Sequence, residues 1–230
     1  GETLTPHAWA LTIESVKRGQ LAWNRETADV IYACADCGLC RSHCVTDQPL
    51  PDAIAAARAE IVQRGLAPAI VAEIDRDLRA RAAAIPTADR ESRQAQGHAR
   101  SATGALFVGD MGRDRHASSV DAAVTLLRSS GMEVVQICRD RRSGLLASSL
   151  GLTDTAEALG RSVIAEVAAS GIRDLFVLSP GERWTFEYLY PHRLGLERPA
   201  VAVHEVTDVL WRELAEGRLR FESRNDGEAY

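Results

Sequence analysis

No run of about 18 apolar residues occurs in the 230-residue sequence, so no membrane-spanning helix is written in its hydropathy. The amino-terminal stretch GETLTPHAWALTIES has no basic segment leading into an apolar one, and no export signal is expected there. Aromatic residues are scarce, at 5%, and Trp9, Trp23, Trp184 and Trp211 are too dispersed to form a cofactor box; packing is the expected role. Neither sign of charge dominates. The net charge is −5 and arginine is spread along the whole length, which argues against a nucleic-acid surface. No Ser-His-Asp order, metal-binding histidine pair or P-loop lysine is present. Cysteine is limited to five residues, four of them within eleven positions, unlike the scattered pattern of a disulfide-stapled secreted chain. A soluble protein in a reducing, cytoplasmic compartment is the expectation. At 46% hydrophobic content the chain can bury an ordinary core, in one large or two small domains.

The chain changes character along its length. Within residues 1–85, HAWALTIESVKRG, NRETADVIYACADCG, PDAIAAARAEIVQRG and AIVAEIDRDLRARAAAI carry apolar residues at helical spacing. In the third, Pro51 suits a first turn and Gly65 a carboxy-terminal cap. Residues 86–104 are polar, lack an apolar period and read as a linker. Residues 105–230 alternate strands (ALFVG, MEVVQIC, DLFVLSP, AVAVHEV) with helices (SSVDAAVTLLRSSG, DTAEALGRSVIAEVAASG, ERWTFEYLY, TDVLWRELAEG), the pattern of a parallel sheet wrapped by helices. The expected fold class is therefore α + α/β, a helical domain followed by a small parallel-sheet domain. Right-handed crossovers would set Asp110, Cys138, Ser179 and His204 along one edge of that sheet.

The four clustered thiols, Cys34, Cys37, Cys40 and Cys44, spell C-x2-C-x2-C-x3-C, the spacing of bacterial ferredoxin loops. A short loop around a cubane must present sulfurs to several iron corners; two intervening residues let the chain curl between corners, and Gly38 supplies backbone freedom for the curl. A structural zinc site is the alternative, yet such sites take two ligands from each of two separated knuckles, and the sequence has no second knuckle. In runs of this spacing the fourth cysteine usually serves a different cluster from the first three. Either one [4Fe-4S] cluster uses all four local thiols, or Cys44 joins a second cluster completed by cysteines outside this chain.

The run YACADCGLCRSHC followed by QPLPDAIAAARAEIVQRG resembles the second cluster motif of the helical ferredoxin domain in the heterodisulfide-reductase-like family. That family includes the iron–sulfur subunits of anaerobic glycerol-3-phosphate dehydrogenase and of lactate-utilisation, glycolate-oxidase and demethylase complexes. Its members usually carry Pro after the fourth cysteine, where Val45 stands here. The second half resembles the family's cysteine-rich CCG domain as a skeleton: LFVGD, ICRDRRSG and LSPGERW lie where its cysteines belong, with Asp110, Ile137, Ser179 and Glu182 in ligand positions and Cys138 alone retained. The cluster and disulfide chemistry of complete CCG domains is not expected. In relatives a first cluster motif precedes the region matching HAWALTIESVKRGQLAW and a second CCG repeat follows the region matching HEVTDVLWRELAEGRL, so the chain is expected to be the middle of a longer polypeptide or a subunit completed by another chain. The resemblance implies an iron–sulfur electron-transfer component that receives electrons from a flavoprotein or an electron-transferring flavoprotein. They would pass to another redox subunit or a quinone-linked, membrane-associated acceptor.

The remaining candidates are weaker. Gly109 and Gly112 in VGDMG follow a strand, but the spacing is not that of a dinucleotide turn. Arg139, Arg141 and Arg142 suit a solvated loop or an anionic partner. His204 lacks a catalytic partner at recognisable spacing, and a hydrogen-bonded structural role is expected. An alternative function, a disulfide or small-molecule reductase built around Asp110, Cys138 and Glu182, would need Cys138 accessible and electropositive in setting; a structural zinc module is the third reading.

Overall fold

The computed structural model describes residues 2–85, 102–110 and 117–221. Most of the expected linker (86–101) lies outside these residues, as does Gly112. Mixed helix and a small four-stranded parallel sheet make up the fold, as the alternation of periods predicts.

A single 3-10 turn, Glu2–Leu4, precedes helix α1 (Pro6–Lys17), whose first turn is capped by the Thr5 side chain, with Pro6 where a missing N–H costs nothing. Helix α2 (Arg25–Tyr32) starts with a reciprocal cap between Asn24 and Thr27. Helix α3 (Leu39–Ser42) is one turn, and α4 (Leu50–Gln63) carries Pro51 in its first turn. It ends as the sequence predicts: Gly65 takes a left-handed φ of 68°, its N–H donates to the Val62 carbonyl, and that of Leu66 to Ile61. Helix α5 is Ala69–Ala83.

In the second half, β1 (Gly104–Phe107), α6 (Ala117–Ser129), β2 (Val134–Ile137), α7 (Leu145–Ser149), α8 (Thr153–Ser170), β3 (Asp174–Val177), α9 (Pro180–Trp184), a π-helical segment (Thr185–Arg193), β4 (Ala202–Glu205) and α10 (Val206–Ala215) follow in order. All strand pairs are parallel and the spatial order is β2-β1-β3-β4, with Leu106 facing Gln136 on one side and Phe176 on the other. The chain thus winds outward from β1 to β2 and then from β3 to β4. That makes the β1/β3 boundary the topological switch point.

Two compact units form, and they interleave along the chain. The first comprises Gly1–Pro86, Arg142–Val163 and Tyr188–Glu197; the second Thr87–Arg141, Ile164–Glu187 and Arg198–Tyr230. The division expected from sequence, 1–85 against 105–230, therefore differs from the one the contacts make. Segments 142–163 and 188–197 bond to the amino-terminal helices: Tyr32 donates to the Leu150 carbonyl at 2.8 Å, and Arg193 to Asp52 at 2.9 Å. Period and polarity report local structure, and such pairings join residues more than a hundred positions apart.

The first unit's core gathers Trp23, Ala28, Ile31, Ile54, Ala57 and Ile61, with Trp9, Ile13 and Tyr32 packed against it. The second unit's core sets Leu106, Val108 and Phe176 from the sheet against Val120, Val124 and Leu127 of α6 and Val206 and Val209 of α10. Trp211 departs from the packing expected of the tryptophans: it sits on the outward side of α10, 73% exposed. Among the described residues no helix is long and apolar enough to cross a membrane.

Candidate metal centre

The cysteine run occupies the passage from α2 into α3 and on towards α4. After α2 ends at Tyr32, the backbone turns left-handed at Asp36 (φ 53°) and again at Gly38 (φ 72°), which opens α3. Left-handed backbone is costly for a residue with a Cβ, so Gly38 relieves one of the two turns while Asp36 is held in place by its surroundings. Asp36 accepts a hydrogen bond from Ser149 Oγ at 2.7 Å. The curl expected at Gly38 is present, with Cys40 carried on α3 and Cys44 on the turn beyond it.

Cys37 is exposed and Cys34, Cys40 and Cys44 are half-buried. Burial pushes the Cys40 thiol above its ordinary pKa, and the neighbouring Cys34 and Cys37 charges add to the shift, so both lie within electrostatic reach of Cys40. Cys44 shifts the other way. Its sulfur meets Thr46 Oγ1 at 3.3 Å and accepts the Gln48 N–H at 3.5 Å, contacts that favour the thiolate. The Asp36 N–H points at Cys34 Sγ, 3.4 Å away. Backbone N–H groups aimed at sulfur stabilise metal-bound thiolate.

Among the described residues, no group of three or more His, Cys, Asp or Glu is arranged to hold a metal ion. The donor set still fits an iron–sulfur group chemically: soft thiols, N–H donors at two of them, and two left-handed residues that wind the chain between the first and third cysteines.

Two side-chain systems hold this turn, and periodicity shows neither. Arg58, on the buried face of α4 with Ile54, Ala57 and Ile61, is 4% exposed. Its Nη2 donates to the Cys34 carbonyl at 2.5 Å and the Ile31 carbonyl at 3.2 Å, and Nη1 to the Ser149 carbonyl at 2.6 Å. The guanidinium lies 5.1 Å from the Tyr32 ring centroid. Burial raises the Tyr32 phenol to about 12 despite the opposing pull of Arg58. In the second system Asp52, in the first turn of α4, takes Arg193 Nε at 2.9 Å, Tyr188 OH at 3.1 Å and Arg41 Nη1 at 3.4 Å, while Arg41 Nε reaches Asp47 at 3.0 Å. Arg41 follows Cys40 directly, so this network sets the course of α3. The signal available in the sequence was a lone arginine on an apolar helical face.

In the second unit Asp110 follows β1, Cys138 follows β2, and Ser179 and Glu182 follow β3, along the carboxy-terminal edge of the sheet as expected. His204 sits within β4, where it bonds Asp174 at 2.8 Å, the structural role anticipated for it. Cys138 is fully buried with a left-handed φ of 54°, and burial, then the nearby Glu166 charge, pushes its thiol well up. Arg141, two residues beyond the neighbouring Arg139, pairs with Glu166 at 2.5 Å, which removes it from the free anion-binding loop that the three arginines suggested. Glu182 is 2% exposed; its Oε2 accepts the Leu178 and Ser179 N–H groups, its Oε1 has no partner among the described residues, and burial raises its pKa to about 7 with Asp110 adding to the rise. Its capping role at α9 accounts for the position.

No family model matches this chain, and neither a curated protein nor a solved structure is found to be similar to it.

Proposed function

We propose that this chain is an iron–sulfur electron-transfer component of a larger oxidoreductase, with Cys34, Cys37, Cys40 and Cys44 as its metal ligands. The observation that carries the reading is the C-x2-C-x2-C-x3-C run on a turn wound left-handed at Asp36 and Gly38, with Cys34 and Cys37 each in electrostatic reach of Cys40. A bound [4Fe-4S] group would accept and release one electron at a time. The chain's own part is to hold the thiolates, to direct the Asp36 and Gln48 N–H groups at sulfur, and to keep one flank buried against α2 and α4. Exposed Cys37 gives the other flank an edge for electron exchange.

The helical ferredoxin-like and degenerate CCG-like halves belong to this proposal, as do a flavoprotein or electron-transferring flavoprotein donor, a further redox subunit or quinone-linked acceptor, and a cytoplasmic setting. The α/β unit serves as docking scaffold. A reductase built on Cys138 is disfavoured by the burial of that thiol.

Iron and acid-labile sulfide, measured per chain in protein purified without oxygen, test the reading. About four of each means one cubane; about eight requires a second cluster with ligands from elsewhere. Zinc without sulfide overturns the proposal and leaves a structural module.

A further inference from the structure

Resting on that reading, we propose that Arg58 is the fixed counter-charge of the iron–sulfur group, a positioning residue that sets the reduction potential of the cluster through Cys34. Arg58 is nearly fully buried, and its described hydrogen-bond acceptors are neutral carbonyls: Ile31, Cys34 and Ser149. Among the described residues no carboxylate stands within ion-pair distance of it, and its Nε has no partner. Other arginines of the first unit, Arg18, Arg41, Arg64, Arg79 and Arg193, each meet a carboxylate.

A buried cation that meets three carbonyls and the Tyr32 ring but no anion is unfavourable unless an anion completes it. The carbonyl it grips most closely is that of Cys34, whose thiolate is one of the proposed ligands. A thiolate-ligated cluster held there would carry net negative charge, and that charge would grow by one on accepting an electron from a flavin or a low-potential dye, which would be oxidised by one electron. Arg58 neither gains nor loses a proton in that step, and no bond to it is made or broken. Its field would favour the reduced, more negative form, so its presence would raise the potential.

Two variants separate charge from shape. Arg58→Lys keeps the charge and gives up the three-carbonyl grip; Arg58→Gln keeps a donor and gives up the charge. Each is loaded with iron and sulfide and titrated against redox dyes, with the electron paramagnetic resonance signal of the reduced cluster as readout. The expected result is a Lys variant close to wild type and a Gln variant whose reduced-to-oxidised ratio at fixed ambient potential is lower by roughly tenfold, about 59 mV for a one-electron couple. Loading by Lys with failure to load by Gln also supports the counter-charge. Equal potentials in all three proteins, or equal loss of cluster in both variants, overturns it in favour of a purely geometric role. A wild-type protein that binds no iron or sulfide overturns the electron-transfer reading itself, a failure visible before any variant is made.

Discussion

Glu166 holds the backbone at Cys138: its Oε1 accepts the Cys138 N–H at 2.6 Å while its Oε2 pairs with Arg141 at 2.5 Å. A left-handed, β-strand-terminal cysteine is thereby fixed with its sulfur inside the unit and a carboxylate beside it. Both effects oppose thiolate formation.

The five thiols therefore divide by reactivity. In iron-free, reduced protein at pH 8, a maleimide followed by peptide mapping is expected to label Cys37 and Cys44 rapidly and Cys138 at least roughly tenfold more slowly, catching up only in denaturant. Rapid labelling of Cys138 in folded protein would restore the case for a reactive thiol at the sheet edge. By the same argument Cys138→Ser is expected to leave the proposed electron transfer intact.

Gly151 is predicted to be the least replaceable glycine of the first unit. Its φ is 81°, and an added Cβ would stand 2.6 Å from the Arg58 carbonyl oxygen and 2.7 Å from the Ala59 nitrogen. Both are helix backbone and cannot give way. Gly38 has a similar φ of 72° and open space around it. Gly38→Ala is expected to cost about 1–2 kcal/mol, the left-handed penalty alone, and Gly151→Ala at least about 3 kcal/mol. Equilibrium urea unfolding of the two variants measures the gap, and equal losses would mean that the 151 turn moves aside.

The contrast between these glycines marks what the sequence could and could not tell. Strand and helix periods, the Pro51 and Gly65 boundaries of α4 and the curl at Gly38 are local facts, written within a few residues, and they were legible. The two-unit division was not, because it depends on α7, a single turn without usable period, and on contacts such as Arg58 to Ser149 that span 91 positions. Arg58 itself showed only as a cation among Ile54, Ala57 and Ile61. Its partners are main-chain carbonyls, which every residue has and no motif encodes.

Asp52 is the next test of how the cysteine turn is held. Its carboxylate, 30% exposed, receives Arg193, Tyr188 and Arg41, and the Arg193 side chain is only 11% exposed. Asp52→Ala would leave that guanidinium partly desolvated without the Asp52 carboxylate. A loss of about 2 kcal/mol in urea unfolding is expected, discounted for the solvent that reaches Asp52, with Asp52→Asn losing less. Amide exchange across 188–193 should quicken in the Ala variant. Unchanged exchange would mean that the π-helical backbone holds this segment without the ion pair.

The last prediction concerns pH and the second unit. Glu182 has a folded-state pKa of about 7 against an ordinary 4.5, raised first by burial and then by the Asp110 charge, with the Leu178 and Ser179 N–H groups pulling it back down. Between pH 4.5 and 7 the folded chain holds a proton that the unfolded chain has released, so this group's contribution to stability falls as pH rises and levels off above 7. The full penalty of the ionised form is about 3 kcal/mol. Glu182→Gln keeps an acceptor for the two N–H groups and removes the titration. Unfolding free energies measured across the range should coincide for variant and wild type near pH 4.5 and separate as pH rises, until at about pH 8 the variant is more stable by about 3 kcal/mol. A variant less stable than wild type at that pH would mean that the carboxylate is charged in the fold and balanced by a cation, which would reverse the assignment of Glu182 as a buried neutral acid.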